Sequence, residues 1–157
     1  MARPCVFGIG NPSRRDDGVG VWVAQALAAR LDGRAAVHVL GDDGFELIDA
    51  LCGVESALLI DAVQSGAAPG TVHRFDAVAE PLPSALLRCS THVLGVAEAV
   101  ELARALGQLP ARLAVYGIEG ADFAVGEGLS PSVAAAAEAL VDELQTHLTD
   151  LPCTSTP

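Results

Sequence analysis

The sequence holds few cations, few aromatics and no closely spaced cysteines. Nine Lys and Arg stand against 20 Asp and Glu, a formal net charge of −11 over 157 residues. A surface of that sign argues against nucleic acid and anionic membranes as partners. No apolar run reaches the roughly 18 residues that a membrane span needs. The opening Met1-Ala2-Arg3-Pro4 runs straight into an apolar strand pattern, with no stretch for the apolar region and cleavage site of a secretory signal, so a cytoplasmic protein is expected. Cys5, Cys52, Cys89 and Cys153 form no C-x-x-C pair. Thiols in a reducing compartment are therefore expected, rather than a zinc knuckle. The chain also lacks a G-x-S-x-G turn, and Cys89, three residues before His92, has no evident acidic orienter, so no Ser or Cys stands out as a nucleophile.

What the chain does hold is apolar residue, 51% of it, mostly Ala, Val and Leu. That suits one compact α/β domain over 1–151, with 152–157 as a tail. Such a length can bury roughly two-thirds of its unfolded surface. The organising stretch is Gly8-Ile9-Gly10-Asn11-Pro12-Ser13-Arg14-Arg15-Asp16-Asp17-Gly18-Val19-Gly20. It follows the apolar run Cys5-Val6-Phe7 and precedes a helical pattern, so it reads as the loop between a first strand and a first helix. It is not a dinucleotide loop: Ser13 stands where G-x-G-x-x-G needs its third Gly, and two carboxylates at the loop's end would repel a pyrophosphate. Carboxylates there suit a metal or another cation.

Taken in order, the pattern predicts a strand at 3–9 and a helix at 17–31 with Val19, Trp22, Val23, Ala26, Leu27 and Leu31 on its apolar face. A second strand at 35–40 leads through the turn Gly41-Asp42-Asp43-Gly44 to a short helix at 45–51, where Asp43 and Glu46 have capping-box spacing. Residues 56–60 are the most apolar strand, expected to be central and to end at Asp61. Residues 71–75 alternate like an edge strand. A long connection, 76–90, contains Pro81 and Pro83; Ser90 or Thr91 would cap a helix at 92–107 with Val96, Ala99, Val100, Ala103 and Leu106 on one face. A strand at 113–118 and a loop at 120–128 precede the last helix, opened by Ser130 as cap and Pro131, with Val133, Ala137, Leu140, Leu144 and Leu148 as its buried stripe. Alternating strands and helices give an open, mostly parallel sheet covered on both faces.

In such sheets ligands bind beyond the carboxyl ends of the strands. That rule selects Asp17, after the first strand, Asp61, at the end of the central one, and His92, at a helix start. Two carboxylates and an imidazole are a fitting set for a divalent transition metal. Each has a plainer reading: Asp16 and Asp17 as helix cap and first-turn acid, Asp61 as a strand-end cap, His92 as a structural residue. A cationic imidazole is disfavoured at a helix N-terminus, which suits a neutral, ligating His92. Glu119 is ambiguous, and His38, His73 and His147 have no evident partners. These residues specify a cation site and no reaction.

The motifs resemble the hydrogenase maturation proteases, which process the large subunit of nickel-iron hydrogenases. The resemblance spans about 5–148. It rests on Gly8-x-Gly10-Asn11 with Asp16-Asp17-Gly18-x-Gly20, Asp61-Ala62 leading to Gly66-x-x-Pro69-Gly70-Thr71-Val72, and Ser90-Thr91-His92-x-x-Gly95. It closes on Gly117-Ile118-Glu119 and Gly128-Leu129-Ser130-Pro131-x-Val133. It implies a three-layer α/β/α sandwich with a twisted, mostly parallel sheet of about five strands. It also implies a cytoplasmic endopeptidase, acting as a monomer, that removes the C-terminal extension of the precursor after nickel insertion. The family's metal-binding positions fall on Asp17, Asp61 and His92; some members carry Glu at the first. Nickel would belong to the precursor and not stay with the protease. Either that nickel or a carboxylate, Asp17 or Asp16, would drive hydrolysis. A non-catalytic nickel-sensing escort and an unrelated metallopeptidase are the alternatives.

Overall fold

The computed structural model describes residues 3–83 and 94–149. Five strands, β1 (Cys5–Ile9), β2 (Ala36–Leu40), β3 (Ser56–Val63), β4 (Val72–Asp76) and β5 (Arg112–Glu119), form one sheet in the order β2-β1-β3-β5-β4. All neighbours are parallel except β4, which runs antiparallel to β5. As the apolar pattern indicated, β3 is central and β4 lies at an edge.

Helices cover both faces. One face packs α1 (Val19–Leu31) and α4 (Pro131–Thr149) through Val23, Leu27, Leu31, Val133, Leu140 and Leu144 onto Val6, Leu58 and Ile60. The other packs α2 (Gly44–Leu51) and α3 (Val96–Ala105) through Leu47, Leu51, Val96 and Val100 onto Phe7, Leu59 and Val115. Alternation along a strand sends odd and even residues to opposite faces. Asp61 therefore shares the α2/α3 face with Leu59 and Val63.

The glycines of the organising stretch serve backbone packing. A Cβ on Gly20 would lie 2.2 Å from the Ile60 carbonyl oxygen and 2.6 Å from that of Ile9, closer than real contacts allow. Gly20 thus lets the first turn of α1 sit directly on the ends of β1 and β3. Gly10, at φ +141°, brings its Cα against the Asp17 carbonyl, where a Cβ would collide. The two together press the Asp17 loop onto the carboxyl edge of the sheet.

Four details depart from the sequence pattern. Trp22 is 37% exposed, because the small residues Gly20 and Ala24 set which face of α1 meets the sheet, and Trp22 lies about 200° round the helix from Gly20. Leu106 is exposed because α3 ends one residue earlier. The N-cap of α3 is Gly95; Ser90, Thr91 and His92 lie outside the described residues, as does the tail 152–157. Finally, β3 does not stop at Asp61: Ala62 and Val63 continue the ladder opposite Ile118 and Glu119, so an acidic residue sits within a strand.

Candidate active site

Asp17 lies in a 3₁₀ turn, Arg15–Gly18, between β1 and α1, and is buried. The turn is set by Asn11, whose Oδ1 accepts the Ser13 N–H at 2.9 Å and whose carbonyl accepts from Arg14 N–H at 3.0 Å. The Asn11 N–H donates to Asp17 Oδ2 at 3.1 Å. The other oxygen, Oδ1, is buried with no hydrogen-bond partner among the described residues. A buried, unmatched carboxylate oxygen is costly unless it serves an incoming donor or cation. Burial, the charge of Asp42 and a hydrogen bond with the Asp42 side chain push the Asp17 pKa up to about 6; the Asn11 N–H and Arg14 oppose this only in part.

Asp61 stands opposite Gly117 of β5, just past the last β1–β3 pair, Gly8 with Ile60. It is buried, and its Oδ1 accepts the N–H of Ala62 at 2.8 Å. Burial raises its pKa well above the usual carboxylate value, and the nearby charges of Asp17 and Asp42 raise it further.

Asp42 is the carboxylate that sequence reading passed over as a turn residue. It is half-buried just beyond β2, and its charge acts on both Asp17 and Asp61. The signal was available: Asp42 follows β2 as Asp17 follows β1, and the carboxyl-end rule applies to both. The turn holding it is fixed by Asp43, which caps α2 by accepting the Phe45 N–H at 2.9 Å, and by the Gly44 N–H, which donates to the Leu94 carbonyl at 3.2 Å. The carboxylates of Asp17 after β1, Asp42 after β2 and Asp61 within β3 thus act on one another at one end of the sheet. Ionising them together in a dry site is unfavourable, so the site favours a cation or retains protons. Among the described residues, no three side chains of ligating type converge closely enough to hold a metal ion by themselves. His92, the third expected ligand, lies outside the described residues.

Residues 21–147 match the family model described as hydrogenase maturation protease. The chain belongs to that family. It is 29% identical over 150 residues to the hydrogenase 2 maturation protease of Escherichia coli, covering 93% of this chain and 90% of that protein. It is 32% identical over 116 residues to the hydrogenase expression/formation protein HupD of Thiocapsa roseopersicina, covering 73% of this chain but only 52% of HupD. The fold matches the hydrogenase maturating endopeptidase HybD of E. coli with a TM-score of 0.77 at 27% identity, over 95% of this chain and 93% of that one. The three-layer fold expected from the resemblance is the one observed.

Within this maturation-protease fold, two further acids have structural duties. Asp16 is fully engaged: its Oδ2 accepts the N–H groups of Ala121 and Asp122 at 2.8 and 2.9 Å and the Ser130 hydroxyl at 2.8 Å, and its Oδ1 accepts the Ser130 N–H at 2.7 Å. Burial alone would raise its pKa, but these four bonds outweigh it and the net shift is downward. Glu119 behaves alike. Its Oε1 accepts the N–H groups of Ser65 and Gly66 at 2.8 and 2.9 Å, and its Oε2 accepts the Ser65 hydroxyl at 2.8 Å and faces His73 Nε2 at 3.3 Å. Burial pushes Glu119 up and these bonds bring it below the usual range. The ambiguity of Glu119 thus resolves to anchoring the loop after β3, and His73 gains a partner.

Proposed function

We propose that this chain is an endopeptidase that removes the C-terminal extension of a nickel-iron hydrogenase large-subunit precursor, acting in the cytoplasm as a monomer, after nickel has been inserted. The observation that carries the reading is the unmatched oxygen of Asp17 beside buried Asp61, in a chain of the maturation-protease family. Asp17 and Asp61 with His92 reach the nickel ion already held by the precursor. His92 is two residues from Leu94, whose carbonyl anchors the turn beside Asp42. The nickel is substrate cargo. An empty precursor lacks the cation that offsets these carboxylates and is rejected.

The same arrangement suits hydrolysis. Water adds to the scissile carbonyl, polarised by nickel on the substrate, or alternatively a carboxylate poised near pH 6 takes the water's proton; in either case the proton ends on the leaving amine as the peptide bond breaks. Of the two adjacent acids, Asp17 fits the base role, because every oxygen of Asp16 is already committed. The test is incubation with the cognate precursor, with and without nickel, followed by intact mass. Loss of a C-terminal peptide only from the nickel-loaded sample supports the reading. Stable binding without mass loss would make the protein an escort instead.

A further inference from the structure

The outer side of β2 is an open sheet edge: no further strand pairs with it among the described residues. The Ala36 N–H donates to the Pro4 carbonyl at 2.9 Å, and the Leu40 carbonyl accepts from Gly10 at 3.2 Å. Both therefore turn their amides toward β1. In a parallel ladder alternate residues point the same way, so Val37 and Val39 direct their N–H and C=O groups outward. Exposed edges are usually blunted by Lys, Pro or a bulge. Here the strand reads Ala-Val-His-Val-Leu, regular and without any of these. Val39 is 48% exposed, and His38 is exposed with its ring stacked on Phe7 at 5.3 Å. The edge is continuous with the site: three residues after Val39 the chain reaches Asp42.

We infer that the outer edge of β2 docks the extended C-terminal segment of the precursor, which adds to the sheet as a sixth strand through the amides of Val37 and Val39. The inference rests on the maturation-protease reading for the identity of the peptide. Strand addition suits this substrate, because a tail to be cut must present its backbone extended, and main-chain bonds hold it without demanding a fixed sequence. Five residues of edge guide about 17 Å of peptide, and its end at Asp42 delivers the backbone to Asp17 and Asp61.

Two measurements test this. In the first, the ¹⁵N-labelled protein is titrated with a synthetic peptide of the precursor's last residues. Protection of the Val37 and Val39 amides from exchange is expected; protection confined to other residues overturns the proposal. In the second, precursor cleavage is compared for Val39→Pro and Val39→Thr. Proline removes an outward N–H and no β1–β2 bond, so its melting temperature should stay near that of Val39→Thr. KM should rise about tenfold for Val39→Pro, with kcat within twofold and Val39→Thr unchanged. An unchanged KM in a folded Val39→Pro protein overturns the docking edge while leaving the protease reading intact. Peptide protection at Val37 and Val39 without any cleavage by the unmodified protein supports the edge and defeats the protease reading. A dimer that Val39→Pro dissolves would assign the edge to a second copy and overturn the proposal.

Discussion

Asp16 and Ser130 are joined twice across 114 residues of sequence, through the Ser130 N–H and through its hydroxyl. With the Ala121 and Asp122 amides, Asp16 closes the loop before α4 onto the turn that carries Asp17. Ser130, expected as the cap residue of α4, immediately precedes that helix and donates its hydroxyl to Asp16. Asp16→Asn replaces a charged acceptor by an amide whose NH2 must face at least one of the three N–H groups, that of Ser130 on Oδ1 or those of Ala121 and Asp122 on Oδ2. Hydrogen bonds to charged groups contribute about 1.5–3 kcal/mol each, not additively. A loss of about 2–4 kcal/mol is expected, with a fall in melting temperature of roughly 4–16 °C at this chain length. Chemical denaturation at pH 7 checks it, and a change below about 0.5 kcal/mol would remove Asp16 from its positioning role.

Asp61→Asn should separate stability from function. The folded protein holds the Asp61 proton more tightly than the unfolded chain does, because burial and the Asp17 and Asp42 charges oppose ionisation. Its contribution to stability is complete below the unfolded pKa and is lost as pH rises through the raised folded value. Asn mimics the protonated form and can still accept the Ala62 N–H. The variant should therefore melt higher than the parent at pH 7.5, match it near pH 4, and fail to process precursor. Melting curves at the two pH values, paired with intact mass, decide this. Retained cleavage by the folded variant would remove Asp61 from the machinery.

How much of this was legible in the sequence depended on the kind of force involved. The apolar runs of β1 and β3 and the stripe of α4 gave order, layers and the central strand, because burial leaves a period in the sequence. The carboxyl-end rule then brought Asp17 and Asp61 to one place. What escaped was set by contacts distant along the chain. Asp61 looked like the end of a strand, yet pairing with Gly117 to Glu119 on β5 carries the ladder past it. Trp22 fits an apolar helical stripe, but the Gly8–Gly20 contact turns it outward. Asp42 looked like a turn residue, since nothing local marks its electrostatic reach to β1 and β3.

The pH profile of processing should expose Asp17. If an ionised Asp17 is needed, as ligand or base, kcat/KM should rise with pH and level off above about 6. Burial is the chief reason for that midpoint and the Asp42 charge the second. Asp42→Asn removes the repulsion, so the acid limb should move to lower pH. Rates measured from pH 5 to 8 for both proteins test the pair. An acid limb that stays in place would mean that Asp42 does not act on Asp17. The same shift carries a stability consequence: the contribution of Asp17, present below the unfolded pKa, declines as pH rises through about 6.

Gly20→Ala tests whether the glycine motif positions the site through packing. The new methyl would meet the Ile60 and Ile9 carbonyl oxygens at 2.2 and 2.6 Å. Neither oxygen can yield alone, since each belongs to the sheet backbone, so the first turn of α1 must lift. Overpacking of this kind costs about 1–3 kcal/mol, a fall in melting temperature of roughly 2–12 °C for a domain of this size. Helix propensity acts in the opposite direction, favouring Ala by about 1 kcal/mol, and offsets part of that cost. Lifting α1 also draws the adjoining 3₁₀ turn, and Asp17 with it, away from Asp61. Gly20→Ala should therefore lose processing more steeply than its stability loss explains, measured at a temperature where the variant is fully folded. Gly33→Ala supplies the contrast: no atom lies within 4 Å of a Cβ there, and its positive φ of +80° confines the penalty to backbone strain far from the site. A folded Gly20→Ala protein with full activity would show that the contact between α1 and the strand ends does not set the position of Asp17.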